Sequence, residues 1–364
     1  MHSVMHTSLL SLLLVSTGAV AQVTLTVEPT GRAATSVAAP ANTAAILIQQ
    51  YGIKPSDWNK VTEGEIVTRV LDAHDNWELV LLGVVQLPGH PSDFAAFARQ
   101  LEQFSNNRHV SRMGQLSPMS LPADLELLTV RQEDVKAVRS CRLGKCHMKL
   151  PSATIAALSQ LDSDDELYGA QVSRLVVDWL GEYLQQYFAS GNAALVEYAD
   201  QEEPQSLQRG FRELLGRFTV LAEQAPELYG YLQQDPAEIP PEIENQFYWL
   251  IEDFGMRPLT TVTQSIMYRP QAGAVGELWI VLKQLYASHY LRGAVRSLRV
   301  VAGPDTQEGP SSYLVCVERV LFDKRVGGLK RALVTPRMRG HLEDRLSWMR
   351  RILVLRGETI ASRE

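Results

Sequence analysis

Four extended segments fill most of the chain between residues 259 and 322, and they constrain the fold more than any other feature. They cover residues 259–268, 277–290, 294–301 and 312–322, and all are rich in β-branched and aromatic side chains. Short runs rich in proline and glycine separate them, and such breaks favour antiparallel pairing. In the second segment apolar residues also recur at helical spacing, so a helix remains an alternative there. The pattern predicts an antiparallel sheet in this part of the chain.

Strand and helix patterns alternate in the N-terminal part, residues 45–160. The apolar run 77–85 is predicted to be a buried strand, and Ser92 is the predicted N-cap of a helix that continues to Phe104. Two shorter elements are predicted after it, an extended segment over residues 110–116 and a helix over residues 131–138. This part therefore supplies both strands and helices.

Residues 161–256 are predicted to form a largely helical segment. Apolar side chains between residues 172 and 187 follow the 3.6-residue period of a helix that Gly191 ends, and a second helix is predicted to begin near Ser206. Several prolines then divide the chain into shorter pieces, of which residues 243–254 have the pattern of a helix.

The last part, residues 257–364, combines the four extended segments with an amphipathic helix after Gly340. We expect it to form one domain with residues 45–160. The predicted fold class is α+β, an antiparallel sheet with a long C-terminal helix packed on it and the helical segment in the middle.

The N-terminus has the pattern of an export signal. An apolar run at residues 9–15 precedes small residues that end in Ala19-Val20-Ala21, which predicts a signal peptide over residues 1–21 and a mature chain that begins at Gln22. Residues 22–44 are poor in large apolar side chains and predict a mobile leader. No later apolar stretch approaches the roughly 20 residues that cross a bilayer. The sequence predicts an exported, periplasmic or extracellular protein that is soluble and not transmembrane.

The distribution of charge is uneven. The whole chain has a formal net charge of −6, yet from residue 283 onward basic side chains are about twice as numerous as acidic ones. One interpretation is an anionic ligand, headgroup or partner for this part, and the other is attraction between two halves of the fold. An exported acidic protein is not expected to bind nucleic acid.

The three cysteines predict one disulfide. Cys141 and Cys146 are close in sequence, and in an oxidising compartment they are expected to pair and to tighten a wet, cationic turn that includes Lys149. A zinc site that adds His147 and Cys316 is the weaker alternative, because a second closely spaced ligand pair is missing. Cys316 is itself expected to be a small buried apolar residue.

Residues 283–290 are dense in groups that can do chemistry. On a strand, Lys283 and His289 share one face, and the tyrosines at 286 and 290 share the other. A functional interpretation makes His289 a general base or a ligand-orienting donor, with Glu318 or Asp323 as its carboxylate partner. The alternative, which we favour, is a structural histidine that is hydrogen-bonded within the sheet. The candidate ligand-binding residues are Tyr286, His289, Tyr290 and Arg319.

Other motifs add little chemistry. The basic run 323–331 contains two glycines and is compatible with an anion-binding loop or with a solvated loop before the last helix. The dinucleotide fingerprint G-x-G-x-x-G, the phosphate loop, H-E-x-x-H and the EF-hand loop are absent from the sequence. No cofactor and no metal site are therefore expected.

The order of elements resembles that of START-type helix-grip domains. The resemblance rests on the strand at 77–85, the helix at 92–104, the late antiparallel strands and the closing helix at 340–355. The turn at 141–151 also resembles an element of uncharacterised exported bacterial proteins. The helix-grip resemblance implies a curved sheet around the last helix, with a cavity between them for lipids, sterols or other apolar molecules.

Three functions follow as hypotheses. The leading one is an exported protein that binds or shuttles a hydrophobic small molecule or lipid. The second is an enzyme that uses the same cavity, with His289 and Glu318 as acid and base. The third is a non-enzymatic interaction module whose acidic helical layer meets a protein partner. We favour binding over catalysis.

Overall fold

The computed structural model describes residues 43–234, 239–253, 255, 257–270 and 276–361. The predicted signal peptide and residues 22–42 of the predicted leader lie outside the described residues. The leader was expected to extend to residue 44, but a helix already begins at Thr43. Within the described ranges, none of the helices combines the length and the apolar composition needed to cross a membrane.

Eight antiparallel strands from both ends of the chain form one sheet. They are β1 (Val67–Leu71), β2 (Glu78–Pro88), β3 (Val110–Leu116), β6 (Ile243–Glu252), β7 (Leu259–Tyr268), β8 (Leu278–Ala287), β9 (Leu291–Ala302) and β10 (Ser311–Phe322), while β4 (Glu197–Tyr198) and β5 (Gln205–Ser206) form a separate ribbon. The spatial order is β1-β2-β10-β9-β8-β7-β6-β3. All four late segments are therefore strands, and the helical alternative for residues 277–290 is wrong.

The helices lie before, between and after these strands. They are α1 (Thr43–Tyr51), α2 (Pro55–Thr62), α3 (Pro91–Ala98), α4 (Leu101–Phe104), α5 (Leu121–Asp124), α6 (Gln132–Val138), α7 (Ser152–Leu158), α8 (Tyr168–Ser190), α9 (Leu207–Leu215), α10 (Thr219–Gln224), α11 (Pro226–Gln234) and α12 (Gly328–Ala361), with a short 3-10 turn over Gly191–Ala194. The predicted α+β fold class, with a long C-terminal helix and a helix-rich middle, is confirmed.

Helices cover both faces of the sheet. On one face, here called the α8 face, Trp279, Val281 and Leu285 pack against α8 to α11, while α1 and α2 cover the end near β1. On the opposite face, the α12 face, Ile280 and Leu298 pack with α3, α4 and α12. The strands in the middle of the sheet are buried on both faces, which explains their nearly continuous apolar sequences.

The helix predicted over residues 243–254 is wrong, because residues Ile243–Glu252 form strand β6. Trp249 and Ile251 contact the α8 face, and Tyr248 and Leu250 contact the α12 face. A strand buried on both faces has no alternation of apolar and polar residues, so it imitates a buried helix in sequence.

The last helix is longer than predicted. It begins at Gly328 rather than after Gly340, so the basic run 323–331 is a loop only in its first half. Its Leu342 and Leu346 are buried against β2. The close approach needs a glycine, since a Cβ atom at Gly83 would lie 2.6 Å from the Cδ1 atom of Leu346.

Three predicted helix boundaries have different outcomes. Gly191 ends α8 in a left-handed conformation with φ of 55°, and the Ser206 hydroxyl caps α9 by accepting from the backbone N–H of Arg209. Both were predicted. The N-cap of α3 is His90 and not Ser92, because Pro91 takes the first helical position, which its fixed φ suits.

A β-bulge in β8 changes which side chains share a face. The register between β7 and β8 shifts after Val262, and the extra residue lies near Leu285. Lys283, Leu285 and Tyr286 consequently all contact helices of the α8 face. The prediction that Lys283 and Tyr286 lie on opposite faces is wrong, because a bulge adds a residue to the two-residue repeat.

Candidate functional site

Two cavities lie near the residues selected from the sequence. The first, the helix-side cavity, lies between the sheet and α12 and has a volume of about 80 Å³. The second, the open cleft, lies at the end of the sheet where the β8–β9 turn, α9 and the start of α12 meet, and its volume is about 1320 Å³. His289 and Tyr290 line the open cleft, while Glu318 lines the helix-side cavity.

The helix-side cavity is small and charged. Arg296 donates to Glu318, and the Nη2 atom of Arg345 lies 3.0 Å from the Oε1 atom of Glu252. Burial works against ionisation of Glu318, but Arg296 holds the pKa of that carboxyl below its usual value. Sites for drug-sized molecules have volumes of about 300–1000 Å³. This cavity is therefore smaller and more charged than the apolar, sterol-sized cavity that the helix-grip resemblance implied.

The open cleft is lined by more basic than acidic side chains. Eight basic residues line it, Lys149, Arg209, Arg257, Arg292, Lys324, Arg325, Lys330 and Arg337, against five acidic ones, Asp200, Glu202, Glu203, Glu213 and Asp323. Apolar side chains are also present, namely Trp77, Phe322, Val326, Leu333 and Val334. The cleft therefore offers several cations beside an apolar strip.

Trp77 joins the two kinds of surface. The guanidinium groups of Arg292 and Arg325 lie 5.5 Å and 5.7 Å from the centre of its ring, within the range of cation–π contacts. Arg292 also lies 3.4 Å from the Oε2 atom of Glu213. The aromatic ring of Trp77 thus contacts two cations at the wall of the cleft.

Lys149 forms part of the floor of the cleft. It is 1% exposed, and its Nζ atom lies 3.1 Å from the Oε1 atom of Gln205 and 3.5 Å from the Oδ1 atom of Asp200. Burial lowers the pKa of Lys149, and burial raises the pKa of the nearby Asp323. The prediction that Lys149 keeps the disulfide turn wet is wrong, because its side chain is buried and its Nζ atom contacts Gln205 and Asp200.

His289 is held at both ring nitrogens. Its Nδ1 atom lies 2.8 Å from the carbonyl oxygen of His147, and its Nε2 atom lies 3.0 Å from the Oδ1 atom of Asp134. Both ring nitrogens of His289 therefore have a protein partner, one a backbone carbonyl and the other a carboxylate. With both nitrogens engaged by protein atoms, neither is directed at a ligand in the cleft. Through these two contacts, His289 connects the end of β8 to α6 and to the disulfide turn.

The predicted carboxylate partners of His289 are wrong. Glu318 pairs with Arg296 on the α12 face, in a different cavity, and the partner is Asp134 on α6. Arg257 also lies 3.5 Å from Asp134. Nothing in the local sequence signals this pair, because residues 134 and 289 are 155 positions apart. His289 and Glu318 therefore do not share the single cavity that the enzyme hypothesis gave them.

The three other candidate ligand-binding residues lie in different surroundings. Tyr286 is buried under α8, with its ring centre 5.4 Å from that of Trp179, and burial raises its pKa. Arg319 lies on the α8 face, where it donates to Glu78 over 2.7 Å. Tyr290 lines the open cleft and has a φ of 60°, which is rare for a residue other than glycine. Of the three, only Tyr290 is placed to touch a ligand in the cleft.

The structure contains the predicted disulfide between Cys141 and Cys146. Cys146 and Gly144 line the open cleft, so the turn is one of its walls. Cys316 is buried and free, as predicted, and burial raises its pKa to about 12. With two of the proposed zinc ligands in a disulfide, the zinc alternative fails, and the described residues include no group of three or more metal-ligating side chains.

The chain has a weak likeness to a solved structure. No family model matches the chain, and no curated protein matches it significantly. Among solved structures, the chain is similar to the Zhui aromatase/cyclase from Streptomyces sp. R1128, with 14% sequence identity and a TM-score of 0.23. The match covers 38% of this chain and 85% of that chain.

Proposed function

We propose that this chain is an exported binding protein whose ligand is an anionic molecule with an apolar portion, held in the open cleft. The observation that carries the proposal is the excess of basic over acidic side chains around a cleft of about 1320 Å³. Several cations that converge on one cleft concentrate anions there. The ligand keeps the hydrophobic character expected from the sequence and adds a negatively charged group.

The apolar strip beside the cations supports an amphiphilic ligand over a simple inorganic anion. Trp77, Phe322 and Val334 line the same space as Lys324 and Arg325. Small-molecule sites generally combine apolar walls with a few polar groups that fix orientation. A phosphorylated or carboxylated lipid-like molecule matches both parts of this surface.

Calorimetry with a soluble amphiphile tests the proposal. We expect lysophosphatidylglycerol, below its micelle concentration, to bind more tightly than lysophosphatidylcholine of the same chain length, because only the former is a net anion. Arg209→Glu should lower the affinity for the anionic lipid about tenfold, which corresponds to roughly 1.4 kcal/mol of binding free energy. Arg212→Glu is the matched control, since this residue is exposed on the same helix and does not line the cleft.

Equal affinity for the two lipids would contradict an anionic ligand. An equal loss in the Arg209→Glu and Arg212→Glu variants would show a general effect of net charge and would contradict the cleft as the place of binding.

Export is supported by the disulfide and by the N-terminal pattern. Disulfides persist in oxidising compartments, and the chain has one between Cys141 and Cys146. Sequencing the N-terminus of the protein recovered from a bacterial envelope fraction should find Gln22 first. An intact Met1 on a cytoplasmic product would contradict export.

A further inference from the structure

We propose that the first three turns of α12 form a docking surface for an anionic lipid bilayer. The surface, here called the basic leucine face, consists of Leu329, Lys330, Leu333, Pro336, Arg337 and Arg339. It borders the open cleft, which Lys330, Leu333 and Arg337 also line. If the proposed function holds, docking brings the open cleft to a membrane surface, where it takes up an anionic amphiphile. Only this consequence rests on the proposed function.

Two large apolar side chains of this surface are unusually exposed. Leu329 is 86% exposed and Leu333 is 61% exposed, and their spacing of four residues puts them on one side of the helix. Leu342 and Leu346 pack the same helix against the sheet. At 3.6 residues per turn, these two leucines lie on the side of the helix opposite to Leu329 and Leu333. Since α12 already buries an apolar face elsewhere, the packing of the described fold does not explain Leu329 and Leu333.

Basic side chains flank the two leucines. Residues 324–342 contain six Lys or Arg and no Asp or Glu, although the whole chain has a net charge of −6. By helical geometry Lys330 and Arg337 lie on one side of the leucines, and Arg339 lies on the other. Among the described residues these three have no carboxylate within ion-pair distance of 4.0 Å.

A bilayer fits this surface better than a protein does. Helices that lie in a membrane interface insert a few apolar side chains and keep flanking Lys and Arg near anionic headgroups. A stable protein interface buries about 800 Å² on each partner, with a packed apolar centre. Two leucines that project from a convex helix do not provide such a centre. The local charge also opposes an interface with a second copy of the same basic face.

Vesicle sedimentation with the full mature chain tests the proposal. We expect it to sediment with vesicles of phosphatidylglycerol and phosphatidylcholine, but not with phosphatidylcholine alone. Salt at about 0.5 M should release it, because screening removes the attraction between the cations and the headgroups. The variant Leu329→Gln/Leu333→Gln should lose at least about tenfold in vesicle affinity, since its apolar insertion is removed. The Lys330→Glu/Arg337→Glu variant should lose a similar amount.

A matched control separates this surface from general apolar exposure. Leu127 and Leu167 are each 64% exposed and lie outside α12, so Leu127→Gln/Leu167→Gln should bind vesicles like the unmodified protein. Circular dichroism and a melting curve check that each variant folds. Equal losses in the control and in the Leu329→Gln/Leu333→Gln variant would overturn the proposal. Binding to phosphatidylcholine alone, or a dimer that this variant dissociates, would also overturn it.

The same variants distinguish failure of this inference from failure of the proposed function. Leu329 does not line the cleft, so the single variant Leu329→Gln should keep its affinity for soluble lysophosphatidylglycerol and lose affinity for vesicles. Vesicle binding without binding of the soluble lipid would support the docking surface and refute the ligand. Binding of the soluble lipid without binding of vesicles would support the ligand and refute the docking surface.

Discussion

Mild acid should destabilise the protein through His341, which α12 buries against the sheet. The residue is 8% exposed, and its ring centre lies 3.6 Å from that of His109. Burial, then His109 and Arg345, lower the pKa of His341 to about 3, against the smaller opposite effects of Glu318 and Asp344. The folded protein therefore keeps this ring neutral at a pH where the unfolded chain protonates it.

The sign and size of the effect follow from this difference in pKa. Between the unfolded value of 6.5 and the folded value of about 3, the unfolded state binds more protons, so stability falls as the pH falls. Each pH unit inside this window costs about 1.4 kcal/mol. From about pH 7 to about pH 5, the predicted loss from His341 is about 2 kcal/mol.

Urea unfolding at the two pH values measures this loss. The His341→Gln variant cannot be protonated, so its free energy of unfolding should fall by about 2 kcal/mol less than that of the unmodified protein over the same interval. His74→Gln is the control for the loss of a histidine, because His74 is exposed. If His341→Gln loses as much stability as the unmodified protein, the reasoning about the buried ring is refuted.

Three further predictions concern stability and can be checked by the same unfolding assay. Glu78→Gln should cost about 3–5 kcal/mol, because the fully buried carboxylate pairs with two arginines that would lose their counter-charge; a cost under about 1 kcal/mol would contradict this. Gly83→Ala should cost about 1–3 kcal/mol, since the new Cβ atom meets α12, and an unchanged midpoint would show that the helix moves freely. Reduction of Cys141–Cys146 should cost about 2 kcal/mol and leave the fold intact, and peptide mapping before reduction should find Cys316 unlinked.

Much of the fold could be predicted from local sequence. The late strands, the helix ended by Gly191, the cap at Ser206 and the disulfide all depend on residues that are near one another in the chain. Their signals are the preference of β-branched residues for strands, the freedom of glycine at a helix end, and the spacing of two cysteines. Local patterns of this kind do not require knowledge of what packs above or below an element.

Strand β6 marks the limit of such patterns. It was predicted to be the helix that follows a series of prolines in a largely helical segment. Its apolar residues do not alternate as those of a half-buried strand do, because helices cover both faces of the sheet. The bulge near Leu285 likewise made a prediction wrong, because it put Lys283 and Tyr286 on the same face of the sheet. Whether helices cover one face or both, and where a bulge adds a residue, are properties of the assembled sheet. The alternation of apolar and polar residues within one strand does not reveal them.

The candidate site shows most clearly what tertiary structure decided. By itself the sequence determined the late strands, the helix that Gly191 ends, the basic character of the C-terminal part, and the presence of His289 at a strand end. Only packing placed Asp134 beside His289, buried Lys149, and put Glu318 in a different cavity from both. Hydrogen bonds and ion pairs depend on distances in space, and here the partners are 155 positions apart for His289 and Asp134, 56 for Lys149 and Gln205, and 22 for Arg296 and Glu318. Local sequence patterns do not record such separations.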